Sequence, residues 1–280
     1  MISILQLGTV DYATGLRLQQ KLVDLRKEGN IGDVLLLLEH TPVITLGRNA
    51  EQKNILASPE TIAQRGVEVF ECDRGGDVTF HGPGQLVGYP IFDLRGIPTP
   101  EGKYKTLGAV DYVRRLEEVL IRTCVDFGIP TQRVPGLTGV WTVANHVGTG
   151  ALARPVERSS TTEHPQDQEA KIAAIGVHIS RAVTSHGFAL NVNTDLSYFD
   201  LIVPCGIEAK PVTSIAKELG KEISLPDVAR SIAHNIGAVF QSEILWRKNL
   251  DALLGQSTGV PMKPPAELRQ LHGEDDTFKA

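Results

Sequence analysis

The sequence predicts a mixed α+β domain, and two kinds of segment support this prediction. Short apolar runs that are typical of buried strands recur along the chain, for example at 34–38 and 171–180. Other segments have the three- and four-residue periodicity of amphipathic helices, most clearly 107–127. Strands grouped with a few helices between them indicate an α+β or mixed α/β domain.

Capping residues and apolar periodicity predict the helices, and short apolar runs predict the strands. A polar cap at Asp11 or Ser58 and a glycine at Gly29 or Gly66 mark the ends of the first two helices, and Ser224 caps the last one. Helices are expected at 11–29, 58–66, 107–127, 213–219 and 225–240. Strands are expected at 34–38, 43–46, 67–70, 86–92, 140–143, 171–180 and 188–193. We expect 43–46 to be the antiparallel return of 34–38.

The length of 280 residues is enough for one or two domains, at roughly 150 residues per domain. Residues 144–169 are rich in Gly, Pro, Ser, Thr and charge and lack periodicity, which predicts an inserted loop. Residues 255–280 are rich in Pro, Gln and charge and predict a mobile tail. We therefore expect a single domain at 1–254, interrupted by the loop and followed by the tail.

Composition excludes several classes of function. The net charge of −5 argues against nonspecific nucleic-acid binding. No apolar run approaches the roughly 20 residues of a membrane-spanning helix, and the first residues lack the features of a secretory signal. The three cysteines are far apart, which indicates neither a disulfide framework nor a metal-binding pair. We expect a cytoplasmic protein without a membrane segment or a metal.

A glycine-rich stretch at 72–90 is the strongest candidate for a ligand site. It contains five glycines, which favour tight turns and close approach of the backbone to a ligand. Two ordinary hairpin turns would explain the glycines but not Arg74, His81 and Gln85 among them. The stretch contains no phosphate-binding P-loop, and its glycines miss the dinucleotide-binding spacing. No nucleotide cofactor is expected here.

The three cysteines differ in their surroundings. Cys124 lies on the apolar stripe of the helix 107–127, as a small core residue would. Cys72 has an acidic residue on each side, which disfavours its thiolate. Cys205 lies between Pro204 and Gly206, outside any regular element, where a side chain can be presented to a cleft. Cys205 is the candidate nucleophile.

Lys171 is the second candidate for chemistry. Strand alternation places it on the same face as three apolar residues, Ala173, Ile175 and Val177. Such a lysine either extends to the rim of the sheet or is partly buried, and partial burial would make its neutral amine available as a base. His178 falls on the opposite face, where a hydrogen-bonded core histidine is the default interpretation.

The stretch Arg74–Gln85, with the sequence RGGDVTFHGPGQ, resembles the signature of the lipoyl(octanoyl) transferases. Further matching blocks follow in order at 139–141, 171–176, 186–193 and 204–206. The resemblance implies the fold of lipoate and biotin protein ligases, a mixed sheet flanked by helices. It also implies that an octanoyl group moves from octanoyl-acyl carrier protein to a lysine of a lipoyl domain, without ATP or another cofactor. The family usually has a short turn where this chain has 144–169.

Carried over by position, the resemblance implies two catalytic residues. Cys205 matches the acyl-thioester nucleophile, and Lys171 matches the lysine that activates it. The segments that match the lining of the acyl-substrate pocket contain Arg74, Gly75, Gly76, Asp77, Val78, Thr79, Phe80, His81, Ala174, Ile175, Gly176, Gly187, Phe188 and Ala189. Two alternatives stay open: an ATP-dependent lipoate or biotin ligase, and a non-catalytic module that binds carrier protein or lipoyl domains.

Overall fold

The computed structural model describes residues 1–98, 104–143, 169–206 and 210–257. The helices are α1 (Tyr12–Lys27), α2 (Pro59–Gln64), α3 (Ala109–Asp126), α4 (Ile215–Leu219), α5 (Leu225–Phe240) and α6 (Leu250–Ser257). The strands are β1 (Ile2–Val10), β2 (Asp33–His40), β3 (Val43–Leu46), β4 (Glu68–Glu71), β5 (Val78–His81), β6 (Gln85–Ile91), β7 (Ile97–Pro98), β8 (Tyr104–Lys105), β9 (Thr131–Val134), β10 (Leu137–Thr142), β11 (Lys171–Ser180), β12 (Val183–Asn191) and β13 (Ile244–Trp246). Short 3-10 turns lie at Gln52–Asn54, Leu196–Leu201 and Pro204–Gly206.

A large mixed sheet organises the fold, with the strand order β13-β1-β2-β6-β12-β11-β10-β9. The pairs β13–β1 and β1–β2 are parallel, and the remaining neighbours are antiparallel. Helices α3 and α5 pack in the core on one face, and α1 packs in the core on the other. This arrangement confirms the predicted α+β fold class.

The central strand β2 shows why a continuous apolar run was informative. Leu35 and Leu37 belong to the core beneath α3 and α5, whereas Leu36 and Leu38 belong to the core beneath α1. Both faces of β2 are therefore buried, and a strand in this position needs apolar residues at every step rather than at alternate ones. The prediction for 34–38 is confirmed.

The predicted helix caps are also confirmed. The Asp11 carboxylate accepts a hydrogen bond from the Thr14 amide at 2.8 Å. Ser58 and Ser224 accept in the same way from residues three positions later, at the starts of α2 and α5. Each cap satisfies an amide that the first turn of a helix otherwise leaves without a partner.

The prediction that 43–46 pairs with 34–38 is wrong. Strand β3 lies in a separate sheet of three strands, parallel to β4 and antiparallel to β5. The physical reason is that β2 has no free edge, because β1 and β6 occupy its two sides. Strands β1, β7, β8, β9 and β13 were not predicted.

The small sheet positions the glycine-rich stretch. β4 and β5 flank the turn at 72–77, and β5 leads through the turn at 82–84 into β6 of the large sheet. A third core, with Phe80 and Phe199 among its residues, packs the small sheet against the segment that precedes Cys205. The glycine-rich turn and Cys205 are thereby placed at the same side of the large sheet.

Two predictions concern parts of the chain that the structure describes incompletely. Of the predicted inserted loop, only Glu169 belongs to the described residues, and of the predicted tail only 255–257, which end α6. The remainder, 144–168 and 258–280, lies outside the described residues. No helix within the described ranges is long and apolar enough to cross a lipid bilayer.

Candidate active site

Lys171 and Cys205, 34 positions apart in the chain, meet in the structure. The Lys171 ammonium nitrogen, Nζ, donates a hydrogen bond to the Cys205 sulfur at 3.1 Å. Lys171 is only 7% exposed, so of the two interpretations of this lysine the buried one is correct. Its main chain is fixed by two hydrogen bonds: the Lys171 amide donates to the Pro211 carbonyl, and the Lys171 carbonyl accepts from the Thr213 amide. Its Nζ also lies 5.2 Å from the centre of the Trp141 ring.

The backbone of Cys205 has an uncommon conformation for a residue with a side chain. Its φ of 57° and ψ of 22° fall in the left-handed region. The turn is held by two hydrogen bonds. The Gly206 amide donates to the Val203 carbonyl at 3.1 Å, and the Val203 amide donates to the Asn54 carbonyl at 2.7 Å. Such conformations persist only where neighbouring contacts enforce them, and they are frequent at functional sites.

Asp77 supports the turn that presents the cysteine. Its carboxylate accepts hydrogen bonds from the Asn54 side chain, from the Glu51 amide and from its own neighbour's amide at Val78. A Cβ added at Gly206 would lie 2.7 Å from the Asp77 carboxylate. Position 206 therefore needs glycine for space as well as for its φ of 67°.

Arg74 fixes the glycine-rich turn from inside. It is buried, and its guanidinium donates to the carbonyl and hydroxyl oxygens of Thr45 at 2.6–3.1 Å and to the Gly75 carbonyl at 3.2 Å. The Gly75 amide donates to the Val177 carbonyl, which ties the turn to β11. The contact is tight: a Cβ at Gly176 would lie 2.7 Å from the Gly75 carbonyl oxygen.

Two adjoining cavities open beside Cys205. The smaller, of about 280 Å³, contains Lys171 and Asn191 in its wall, and the larger, of about 480 Å³, extends over the glycine-rich turn. Cys205, Thr79, Ala174 and Ala189 line both. The predicted pocket residues that line the larger cavity are Arg74, Gly75, Gly76, Asp77, Thr79, His81, Ala174, Ile175, Gly176, Gly187, Phe188 and Ala189.

Two of the predicted pocket residues line neither of these cavities. Val78 and Phe80 are fully buried in the core of the small sheet, where Phe80 stacks on Tyr198 at 4.6 Å between ring centres. Alternation along β5 explains the difference, since Thr79 and His81 face the large sheet while Val78 and Phe80 face away from it. Val78 and Phe80 thus support the pocket wall from behind.

A chain of buried polar side chains runs from the pocket toward Lys171. His81 Nδ1 bonds the Gln85 side-chain oxygen at 2.7 Å, the Gln85 amide donates to the Asn191 oxygen at 2.9 Å, and the Asn191 amide donates to the Thr213 carbonyl at 2.9 Å. Burial lowers the pKa of His81 to about 3, so its ring is neutral at ordinary pH. Asn191 was not predicted as a site residue, although it lies in one of the matching blocks.

A second polar group joins the glycine-rich turn to the β11–β12 hairpin. The Asp73 carboxylate bonds His186 Nε2 at 2.7 Å and His178 Nδ1 at 2.8 Å. Burial lowers the pKa of His186, although the hydrogen bond to Asp73 opposes that shift. His178 is half-buried and paired across the turn rather than enclosed in the core. This pairing could not be predicted from sequence spacing, because 105 and 113 positions separate the partners.

The other two cysteines do not share the surroundings of Cys205. Cys124 is fully buried in the core under α3, and burial raises its pKa to about 12, which confirms the predicted core role. The Cys72 thiol donates to the Leu46 carbonyl at 3.4 Å. In the part of the chain that the structure describes, no three His, Cys, Asp or Glu side chains are grouped as metal ligands.

The sequence pattern of the lipoyl protein ligase A/B catalytic domain matches residues 11–237, a span that contains Lys171, Cys205 and the glycine-rich turn. The chain belongs to this family. It is 59% identical over 275 residues to an octanoyltransferase of Koribacter versatilis, covering 98% of both chains. It is 54% identical over 256 residues to an octanoyltransferase of Acidobacterium capsulatum, covering 91% of this chain and 96% of the relative. These relatives confirm the predicted class, an acyltransferase of protein lipoylation.

Solved structures confirm the predicted fold. A bipartite lipoate protein ligase of Thermoplasma acidophilum superposes with a TM-score of 0.59 at 13% identity, covering 88% of this chain and 84% of that one. A lipoate-protein ligase A bound with ATP superposes with a TM-score of 0.56 at 13% identity, covering 88% and 86%. At this identity the likeness concerns the fold alone.

Proposed function

We propose that this protein moves an octanoyl group from octanoyl-acyl carrier protein to a lysine of a lipoyl domain, through a thioester on Cys205. The observation that supports this proposal most directly is the 3.1 Å contact between Lys171 Nζ and Cys205 Sγ at the junction of two cavities. The identity to octanoyltransferases supports the octanoyl group as the cargo. We further propose that 1–254 form the single catalytic domain.

The lysine activates the sulfur in this proposal. Only a few per cent of an unperturbed thiol is ionised at neutral pH, and the thiolate is the nucleophile. An ammonium group 3.1 Å from the sulfur favours the thiolate by direct electrostatic attraction. The attraction is stronger here than in water, because the lysine is buried against the Trp141 ring.

Two transfer steps follow. The Cys205 thiolate attacks the thioester carbonyl of the donor, the bond from that carbonyl to the carrier's sulfur breaks, and the Lys171 ammonium gives the leaving thiolate its proton. The amine of the lipoyl-domain lysine then attacks the new thioester, and Cys205 leaves as a thiolate while Lys171 takes the amine's proton. Exchange between thioesters is nearly balanced in energy and amide formation is downhill, so neither step requires ATP.

Thr79 is our candidate for stabilising the oxyanion in both steps. Backbone amides at glycine-flanked turns are the usual oxyanion donors, but those of Gly206 and Gly75 already donate to the carbonyls of Val203 and Val177. Thr79 is buried and lines both cavities together with Cys205. No residue of the described ranges hydrogen-bonds its hydroxyl, which is thus available to a substrate oxygen. A donor aimed at the developing charge is a main source of catalysis in acyl transfer.

The larger cavity is suited to an alkyl chain. Its floor on the large sheet is formed by small residues at paired positions of β11 and β12, Ala174 with Ala189 and Gly176 with Gly187. A Cβ at Gly187 would lie 2.2 Å from the Gly88 carbonyl oxygen, so that position accepts no larger residue. A slot whose floor is made of small apolar residues is a suitable site for a fatty acyl group.

An ATP-free transfer assay tests the proposal. Octanoyl-acyl carrier protein, the enzyme and a lipoyl domain are incubated without ATP, and the mass of the lipoyl domain is measured. We expect the domain to gain one octanoyl group. The alternative ligase would use free octanoate and only with ATP, and a binding module would modify nothing; either result contradicts the proposal. A reducing compartment such as the cytoplasm suits an enzyme that depends on a free thiol.

A further inference from the structure

The larger cavity extends away from Cys205 across the large sheet. Its floor passes from Ala174 on β11 to the paired Ala189 on β12, and from there to the paired Val87 on β6. Beyond β6 the cavity wall contains Tyr12, the first residue of α1. Helix α1 packs on this face of the sheet, so Tyr12 stands where the channel meets the helix.

The length of this path matches an eight-carbon chain. Neighbouring strands are about 4.8 Å apart, so two steps from β11 to β6 cover roughly 10 Å. An extended zigzag chain advances roughly 1.25 Å per bond, as the polypeptide backbone itself does over three bonds. The seven carbon–carbon bonds of an octanoyl group therefore span about 9 Å by the same geometry, which brings its terminal methyl group near Tyr12.

The Tyr12 hydroxyl is a buried polar atom with no nitrogen or oxygen partner among the described residues, and the Cys72 thiol, a weak hydrogen-bonding group, lies beside it. The residue is only 1% exposed, and its ring packs on His40 and His81 at 5.2 and 6.4 Å between ring centres. The neighbouring Tyr89 hydroxyl differs, since it bonds His40 Nε2 at 2.6 Å. A buried hydroxyl left unpaired is uncommon and requires an explanation.

The Nε2 atom of His81 is a hydrogen-bond acceptor without a partner among the described residues, in the wall of the same cavity as Tyr12. Both hydrogens of the Gln85 amide are donated, to the Phe80 carbonyl and to Asn191, so the Gln85 oxygen must accept a hydrogen bond from His81 Nδ1. The other ring nitrogen, Nε2, then has a free lone pair. No described residue bonds to it, and His81 lines the cavity together with Tyr12.

We propose that the Tyr12 hydroxyl and His81 Nε2 form a polar end to the acyl channel and limit the transferred chain to about eight carbons. The inference rests on the proposed function. A longer chain would press apolar carbon against these two polar atoms and offer them no hydrogen bond, which opposes binding. Pockets that discriminate by a single methylene do so by about 10- to 200-fold, which sets the size of the expected effect.

A competition experiment tests this limit. Equal amounts of octanoyl-, decanoyl- and dodecanoyl-acyl carrier protein are mixed with the enzyme for a single turnover, and the acyl adducts are quantified by intact-protein mass. Tyr12→Phe removes the hydroxyl and keeps the ring. We expect it to raise the ratio of decanoyl to octanoyl adduct about tenfold.

Tyr112→Phe is the matched control, because Tyr112 is a fully buried tyrosine in the core on the opposite face of the sheet. It should leave the ratio at the wild-type value. An unchanged ratio in Tyr12→Phe overturns the proposal. Should that variant fail to fold, His81→Asn decides by the same criterion, since it keeps an N–H for Gln85 and removes Nε2. Wild-type enzyme that forms no adduct with any chain would instead contradict the proposed function.

Discussion

The Nζ of Lys171 and the Sγ of Cys205 lie 3.1 Å apart, although the two residues come from a strand of the large sheet and from a turn beside the small sheet. Backbone hydrogen bonds fix the lysine in its strand, and Asn54 together with Asp77 fixes the turn that carries the cysteine. The contact thus joins the large sheet to the turn beside the small sheet at the Cys205 sulfur.

Replacing Lys171 tests its role in activating that sulfur. Lys171→Met keeps most of the side-chain volume but removes the charge, and we expect acylation to slow by about 10²- to 10⁴-fold. The loss should shrink at alkaline pH, where hydroxide forms the thiolate without help. Rates of acylation measured from pH 6 to 10 check this. Lys210→Met is the control, because Lys210 also lies over the Trp141 ring, at 5.4 Å, without contacting the sulfur. Equal rates in both variants would remove Lys171 from the mechanism.

Thr79→Val removes the proposed oxyanion donor while keeping the shape of the side chain. We expect acylation to slow by about 10²- to 10³-fold, as when one oxyanion donor is lost elsewhere, with little change in the affinity for octanoyl-acyl carrier protein. Thr123→Val, in the buried core under α3, controls for the loss of an interior hydroxyl. A normal acylation rate in Thr79→Val would show that another group stabilises the oxyanion.

Gly176→Ala tests the close contact between β11 and the glycine-rich turn. The added methyl group would lie 2.7 Å from the Gly75 carbonyl oxygen, so the turn must move. Overpacking of this kind costs about 1–3 kcal/mol of unfolding free energy, and we expect acylation to fall as well. Gly32→Ala is the matched control, because nothing lies within 4 Å of a Cβ there. Equal stability of the two variants in urea would contradict the contact.

Two buried histidines should lower the free energy of unfolding in acid. Burial lowers the pKa of His40 to about 4 and of His81 to about 3, below the 6.5 of an unfolded histidine. Below about pH 6.5 the unfolded chain binds protons that the folded chain does not, so the free energy of unfolding falls as the pH is lowered toward 4. Each histidine contributes at most about 1.4 kcal/mol per pH unit.

His40→Gln should reduce that slope, because it removes one of the two groups. Urea unfolding measured at several pH values between 4 and 7 gives the slope for both proteins. The expected difference is at most about 1.4 kcal/mol per pH unit, with wild type the steeper. The same slope in the variant would show that His40 does not take up a proton on unfolding.

Local sequence signals predicted local structure well. Asp11 and Ser224 marked helix starts because capping depends on residues three positions away. The apolar run of β2 predicted a strand buried on both faces, since its environment requires apolar residues at every step. Pairing was not predictable in the same way: β3 follows β2 directly, yet it joins another sheet because both edges of β2 are occupied.

The site followed from the sequence only in part. No spacing rule relates Lys171 to Cys205, and their contact was expected from the resemblance to a family rather than from the residues alone. Strand alternation along β5 separates Thr79 and His81 from Val78 and Phe80, whereas the resemblance to the family implies the whole segment without distinguishing its two faces. Tyr12 gave no signal, because its position at the channel depends on how α1 packs on the large sheet.

The central claim is that the sulfur of Cys205 holds the octanoyl group between the two proteins. Intact-protein mass after incubation with octanoyl-acyl carrier protein, without a lipoyl domain, tests it most directly. We predict that the wild-type chain gains one octanoyl group and that folded Cys205→Ala gains none. An octanoyl adduct that persists in Cys205→Ala, or that maps to Cys72 in the wild-type chain, would contradict the account.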